Sequence, residues 1–128
     1  MIVIKVTRVA VFDNYPLTFL DNRITLHNTI FPATSYELIG FCQNERSEFS
    51  AVTKQLFIEG EEPTDKEIFR YMTKDRKFTY IKEGEYISKD YIITDLFPRN
   101  FIKDKIGNMF CLDPVIKLNP QNRKYANI

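Results

Sequence analysis

Ile2, Ile4 and Val6 alternate with Val3, Lys5 and Thr7 at the start of the chain, which is the period-two pattern of a strand. The apolar phase then passes to Val9 and Val11. That one-residue slip at Thr7-Arg8 predicts a bulge or bend. Asp13-Asn14-Tyr15-Pro16 is turn chemistry. Residues 17–20 and 23–26 flank Asp21-Asn22, a two-residue hairpin pattern.

Residues 34–43 fit two patterns. Thr34-Ser35-Tyr36-Glu37, after Pro32, reads as a capping box opening a helix. Gly40 weakens that helix, and the same run reads as a strand pairing with residues 49–58 across 44–48. Helix is the preferred reading. Residues 49–58 predict a strand and 60–63 a loop. Thr64-Asp65-Lys66-Glu67 is then a second capping box, with Ile68, Tyr71 and Met72 following at helical spacing and Lys74, Arg76 and Lys77 near the far end. Residues 77–81 and 85–93 predict a hairpin about Lys82-Glu83-Gly84, and residues 101–106 and 109–112 another about Gly107-Asn108. Residues 115–118 predict one more strand.

Strands outnumber helices and do not alternate with them. The expected fold class is therefore α+β, a mostly antiparallel β-sheet with one or two short helices. There is no internal repeat and no linker. The expected organisation is a single α+β domain over residues 1–118 and a flexible tail over 119–128, which is polar and contains Pro120.

Composition supports this picture. With 128 residues, 44% hydrophobic and 27% charged, the chain is of ordinary globular type. Eleven Phe and seven Tyr favour strands. The abundance of Lys, Ile, Asn, Phe and Tyr with little Ala looks like AT-rich coding, as in some bacteria and many of their viruses. A net charge of +1 gives no whole-molecule field that would steer the chain onto nucleic acid or an anionic membrane. No apolar stretch approaches the ~18 residues of a membrane helix. No secretory leader is read at the start, where Lys5 and Arg8 interrupt a short apolar run. Cys42 and Cys111 sit in apolar runs and are expected to be buried thiols in a reducing compartment, which places the chain in the cytoplasm, or the host cytoplasm if it is viral.

The search for chemistry is mostly negative. His27 is the only histidine, so a catalytic triad or dyad has one candidate base, read instead as a polar residue at a strand end. The two cysteines and one histidine fit no zinc spacing, and no metal or other cofactor is expected. With four glycines in all, neither a GxGxxG nor a Walker A motif is present. Glu59-Gly60-Glu61-Glu62 lacks calcium-loop spacing and reads as a solvated acidic loop. Arg99, Lys103, Lys105, Arg123 and Lys124, with Phe101 and Tyr125, form the candidate contact group for RNA or a protein partner. Basic and aromatic side chains together grip phosphates and stack bases.

Two segments resemble known families. The first strand, then Ile30-Phe31-Pro32-Ala33-Thr34-Ser35 and Leu38-Ile39-Gly40, resembles the start of the family-five backbone subunits of CRISPR surveillance complexes. That resemblance implies an RRM-like fold, a first helix after the proline turn, and binding of the guide RNA 5′ handle. Residues 106–114, Ile106-Gly107-Asn108-Met109-Phe110-Cys111-Leu112-Asp113-Pro114, are similar to a strand-turn stretch of the SUKH immunity superfamily, whose members bind and neutralise toxins.

The expectation from the sequence is a small non-enzymatic protein-binding module of inhibitor, immunity or phage-accessory type. The alternative is an RNA-binding, RRM-like subunit of a ribonucleoprotein complex. The thiol reading has a direct check. Alkylation of the unfolded chain without reductant should add two labels by mass, and an intact Cys42–Cys111 disulfide would contradict it.

Overall fold

The structure is a computed structural model that describes residues 2–8 and 20–120. The α+β class holds. Among the described residues nine strands and two short α-helices form, and every strand pair is antiparallel. The chain divides into two compact units, residues 1–58 and 59–128.

The first unit holds β1 (Ile2–Arg8), α1 (Leu26–Ile30), β2 (Tyr36–Gln43) and β3 (Phe49–Leu56). Its sheet runs β1-β3-β2, with Ile2 opposite Leu56 and Val6 opposite Val52. The alternation of β1 is real, but its face is the reverse of the apolar expectation. Ile2, Ile4 and Val6 are each more than half exposed, while Val3, Lys5 and Thr7 point to the more covered side. On that side the Lys5 ammonium lies 5.1 Å from the centre of the Tyr36 ring, a cation–π contact. The slip to Val9 and Val11, the turn at 13–16 and the strand at 17–19 lie outside the described residues.

Residues 20–30 form a π-helical turn (Leu20–Thr25) running into α1, not the second arm of a hairpin. The reason is the identity of the buried positions. Arg23, His27, Ile30 and Phe31 recur at helical spacing and are all buried, but two of the four are polar and escape a hydrophobic-pattern reading. His27 accordingly lies buried in a helix, not at a strand end. Its Nε2 lies 2.8 Å from the Thr34 carbonyl oxygen and 3.0 Å from Thr34 Oγ1, and its ring is 4.6 Å from that of Tyr36.

Residues 36–43 are strand, not helix, so the first helix implied by the CRISPR-subunit resemblance does not form there. Thr34 Oγ1 donates back to the Phe31 carbonyl, and Pro32–Thr34 is a 3₁₀ turn. The Asn28 side chain pairs with the Tyr36 backbone like a neighbouring strand, donating to its carbonyl and accepting from its N–H, both at 2.8 Å. β2 then pairs with β3 along its length, with a register shift between Leu38 and Gly40. Cys42 falls at the exposed end of this strand and is not a core thiol.

The second unit begins with Glu59. α2 (Asp65–Arg70) starts at the predicted capping box: Thr64 Oγ1 accepts from the Glu67 N–H at 3.1 Å, and Glu67 Oε1 accepts from the Thr64 N–H at 3.0 Å. Ile68 and Met72 are fully buried, each burial being worth roughly 1.5–3 kcal/mol. A four-stranded sheet follows in the order β4 (Thr79–Lys82), β5 (Glu85–Ile87), β6 (Tyr91–Thr94) and β9 (Val115–Leu118). The strand expected over 85–93 breaks in two at Ser88-Lys89-Asp90, where the Tyr91 N–H donates to Ser88 Oγ. β7 (Phe101–Lys103) and β8 (Met109–Cys111) make a separate hairpin, and Cys111 is buried. Asn119, assigned to a loose tail, is buried and donates to the Asp90 and Ser88 carbonyls at 2.8 Å each; residues 121–128 lie outside the described residues.

The cap gives a stability test. Thr64→Ala should lower the unfolding free energy by about 1 kcal/mol in denaturant melts, and Thr64→Ser by much less. Silence of both would contradict the cap's role.

Candidate functional site

A cavity of about 700 Å³ opens in the second unit, lined by Glu59, Gly60, Glu61, Glu67, Lys103, Asp104, Lys105, Ile106 and Gly107. Three local devices build it. Glu61 and Lys103 exchange backbone hydrogen bonds, Glu61 N–H to the Lys103 carbonyl at 3.0 Å and Lys103 N–H to the Glu61 carbonyl at 2.7 Å. This draws the 59–61 segment against the end of β7. Gly60 permits the approach, because a Cβ there would sit 2.4 Å from the Lys103 carbonyl oxygen.

The second device is the turn at 104–108. The Asp104 carboxylate accepts from the Ile106 N–H at 3.1 Å, the Asn108 N–H at 2.8 Å and Asn108 Nδ2 at 3.1 Å. Burial pushes the Asp104 carboxyl up, but hydrogen bonds from Asn108, Ile106 and Gly107 outweigh it and hold the group below the usual carboxylate range. This side-chain capture ends β7 at Lys103, three residues before the predicted strand end. It leaves Lys105 and Ile106 exposed on the turn.

The third device is the Lys103–Glu67 pair. Lys103 Nζ donates to Glu67 Oε2 at 2.7 Å, with Glu61 Oε1 at 3.8 Å on the same ammonium. The Glu67 carboxyl is pulled from 4.5 to about 2, chiefly by the Lys103 hydrogen bond and then by the Thr64 N–H. The same bond raises the Lys103 ammonium above its usual 10.5. Both side chains stay part-exposed, 26% for Lys103 and 32% for Glu67, so water screens the attraction. Glu67 thus has two roles, closing the helix cap and orienting the lysine.

The structure separates the contact group read from the sequence. Lys103 and Lys105 line this cavity, Lys103 already committed to Glu67. Phe101 is fully buried and meets the Tyr71 ring edge-on at 6.3 Å, so it packs the core and offers no stacking face. Arg99 is exposed on a 3₁₀ turn, paired with Asp95 at 2.7 Å and lying 5.0 Å over the Phe97 ring. Arg123, Lys124 and Tyr125 lie outside the described residues. In the sequence, Glu59 and Glu61 read only as part of a solvated loop and Glu67 only as a cap residue. Only the tertiary pairing with Lys103, 36 positions from Glu67, brings them to one place. No helix among the described residues is long and apolar enough to cross a membrane.

A lysine oriented by a glutamate, with a second lysine and several carboxylates beside it, is the set of groups that phosphoryl transfer draws on. The chain belongs to the Kinase-PolyVal family, described as a serine/threonine/tyrosine kinase found in polyvalent proteins, whose model matches residues 1–120. No curated protein and no solved structure matches it.

The match overturns the expectation that the chain is not an enzyme, since the family is described as one of kinases. The reason lies in the chemistry of the reaction. Triads, dyads and zinc sites announce themselves by residue type, whereas phosphoryl transfer needs little covalent chemistry from the protein and rests on positioned charges. Lysines and carboxylates are common everywhere and mark a site only once the fold gathers them.

The pair makes a titration prediction. Because the Glu67 carboxyl is lowered, its stabilising contribution is present above its usual 4.5 and lost as pH falls toward about 2. Carbon-detected NMR should find the Glu67 midpoint well below that of an exposed glutamate. Lys103→Met should move it upward, and an unmoved midpoint would show that Lys103 is not its partner.

Proposed function

We propose that this chain transfers a phosphoryl group from a nucleoside triphosphate to a hydroxyl of a protein, using the cavity around Lys103. The observation that carries this reading is the Lys103–Glu67 pair at 2.7 Å in a cavity of about 700 Å³, in a chain of a kinase family. The lysine ammonium, presented by Glu67, meets the phosphate oxygens. Lys105 on the adjoining turn adds a second positive charge.

In the transfer, the substrate hydroxyl oxygen bonds to the γ-phosphorus as the bond to the β–γ bridging oxygen breaks. The hydroxyl proton passes to a carboxylate, a role that suits Glu59 on the exposed edge of the cavity. Nucleotide phosphates ordinarily arrive with magnesium. Among the described residues no group of three His, Cys, Asp or Glu side chains comes together to hold a metal ion. Hard carboxylate oxygens still fit the ion, since magnesium is commonly held by one or two carboxylates plus the phosphates themselves. Glu61 would hold it, and the ion would supply charge neutralisation on the phosphate oxygens. The partner in this reading is another protein, the substrate, and the setting is the cytoplasm, where nucleoside triphosphates and thiols are both maintained.

The test is transfer of radiolabelled γ-phosphate from magnesium ATP to a peptide mixture containing serine, threonine and tyrosine. The wild-type chain should label the mixture or itself. Lys103→Met, checked for folding by circular dichroism, should lower the rate by about 100-fold or more, the scale for losing one positioned charge donor. Labelling unchanged in a folded Lys103→Met variant would move the site elsewhere, and a wild-type chain with no labelling would contradict the reading.

A further inference from the structure

A second cavity in the same unit, of about 500 Å³, has different walls: Asp65, Lys66, Phe69, Tyr80, Glu83, Gly84, Tyr86 and Leu96. Three of these are aromatic rings set nearly at right angles. Phe69 and Tyr80 meet at 5.4 Å and 73°, and Tyr80 and Tyr86 at 5.6 Å and 71°. Perpendicular neighbouring rings turn their faces in different directions and make a corner. Tyr86 is buried, while Phe69 and Tyr80 stand nearly half exposed.

The corner is held in place by the turn beneath it. Gly84 has φ +81, and a Cβ there would lie 2.5 Å from the Phe97 ring. Glycine is therefore required, and it lets Phe97 close under the β4–β5 turn that carries Glu83. The Leu96 N–H donates to the Gly84 carbonyl at 3.1 Å and fixes the same turn from the other side. The rings and the acidic residue thus stand on a braced support.

Charge decides what fits. Asp65 and Glu83 line the cavity against a single Lys66, so its edge is net acidic. A nucleotide would find rings to stack on, but its phosphates would meet Asp65 and Glu83 with only Lys66 to offset them and no lysine held in place by a carboxylate partner as Lys103 is by Glu67. The first-turn N–H of Glu67, which would attract an anion, is already bonded to Thr64 Oγ1. A cation finds both attractions at once, ring faces and carboxylates.

We propose that the pocket of Phe69, Tyr80 and Tyr86 binds a cationic side chain, an arginine or lysine of a partner polypeptide, with Asp65 and Glu83 as its counter-charges. The proposal is independent of phosphoryl transfer at Lys103. It gives the protein a means of gripping a basic residue of whatever polypeptide it meets.

The probes are Nα-acetyl-arginine amide and, as a neutral match of similar length, Nα-acetyl-norleucine amide, titrated into the full ¹⁵N-labelled chain. The arginine probe should shift the Gly84 and Tyr80 amides and bind several-fold more tightly than the norleucine probe. Tyr80→Leu, which keeps apolar bulk but removes the ring, and Glu83→Gln, which removes only charge from a turn, should each weaken arginine binding about threefold or more. Because Glu83→Gln leaves every core residue in place, a folding defect cannot account for its effect. Equal binding of the two probes, arginine binding indifferent to both substitutions, or no shift at tens of millimolar arginine probe would each overturn the proposal.

Discussion

Lys103 is bound twice over in the second unit: its backbone trades hydrogen bonds with Glu61, and its ammonium is held by Glu67 at 2.7 Å. Everything around the larger cavity depends on these two attachments. The backbone exchange brings the acidic 59–61 segment to the end of β7, which only a glycine at position 60 allows. The ion pair ties β7 to the first turn of α2, through the glutamate that also completes the helix cap. A lysine left to itself is a flexible, fully hydrated charge. Held between Glu67 and Glu61, it is presented in one direction, which is what electrostatic catalysis requires of a charge.

The same helix serves both cavities. Glu67 and Asp65 stand two residues apart and line different ones, the first beside Lys103 and the second beside the Phe69–Tyr80–Tyr86 corner. One cavity joins lysines to carboxylates, and the other joins aromatic rings to carboxylates with one lysine. Both linings carry more carboxylates than lysines, so what distinguishes them is the lysine held by Glu67 in the first and the exposed ring faces in the second, the one open to phosphate oxygens and the other to a cation.

Much of the second unit could be read from the sequence. Thr64-Asp65-Lys66-Glu67 marked the helix start because a capping box is a local, reciprocal pair of hydrogen bonds that needs no tertiary information. Gly84 marked a turn that forms, and Gly107 a hairpin whose turn falls earlier than expected, over residues 104–108. The first unit was harder for a physical reason. Its helix buries Arg23 and His27, and its sheet turns Lys5 and Thr7 toward the covered side while Ile2, Ile4 and Val6 stay exposed. A reading that equates apolar with inside therefore places β1 on the wrong face and misses the helix. The Thr34 capping box failed because the same hydroxyl and backbone serve a 3₁₀ turn and His27. The site itself was half visible: Lys103 and Lys105 were singled out, but as RNA or partner contacts. Their relation to Glu67, Glu61 and Asp104 belongs to the chain's tertiary pairing, which no local pattern encodes.

Magnesium with a non-hydrolysable ATP analogue, titrated into the ¹⁵N-labelled chain, tests the central claim most directly, because it reads binding residue by residue and needs no substrate. The account expects shifts concentrated at Gly60, Glu61, Lys103 and the 104–108 turn, abolished in Lys103→Met, with the Glu83-Gly84 turn unmoved. Shifts centred on Tyr80 and Gly84, or a pattern that survives Lys103→Met unchanged, would contradict it.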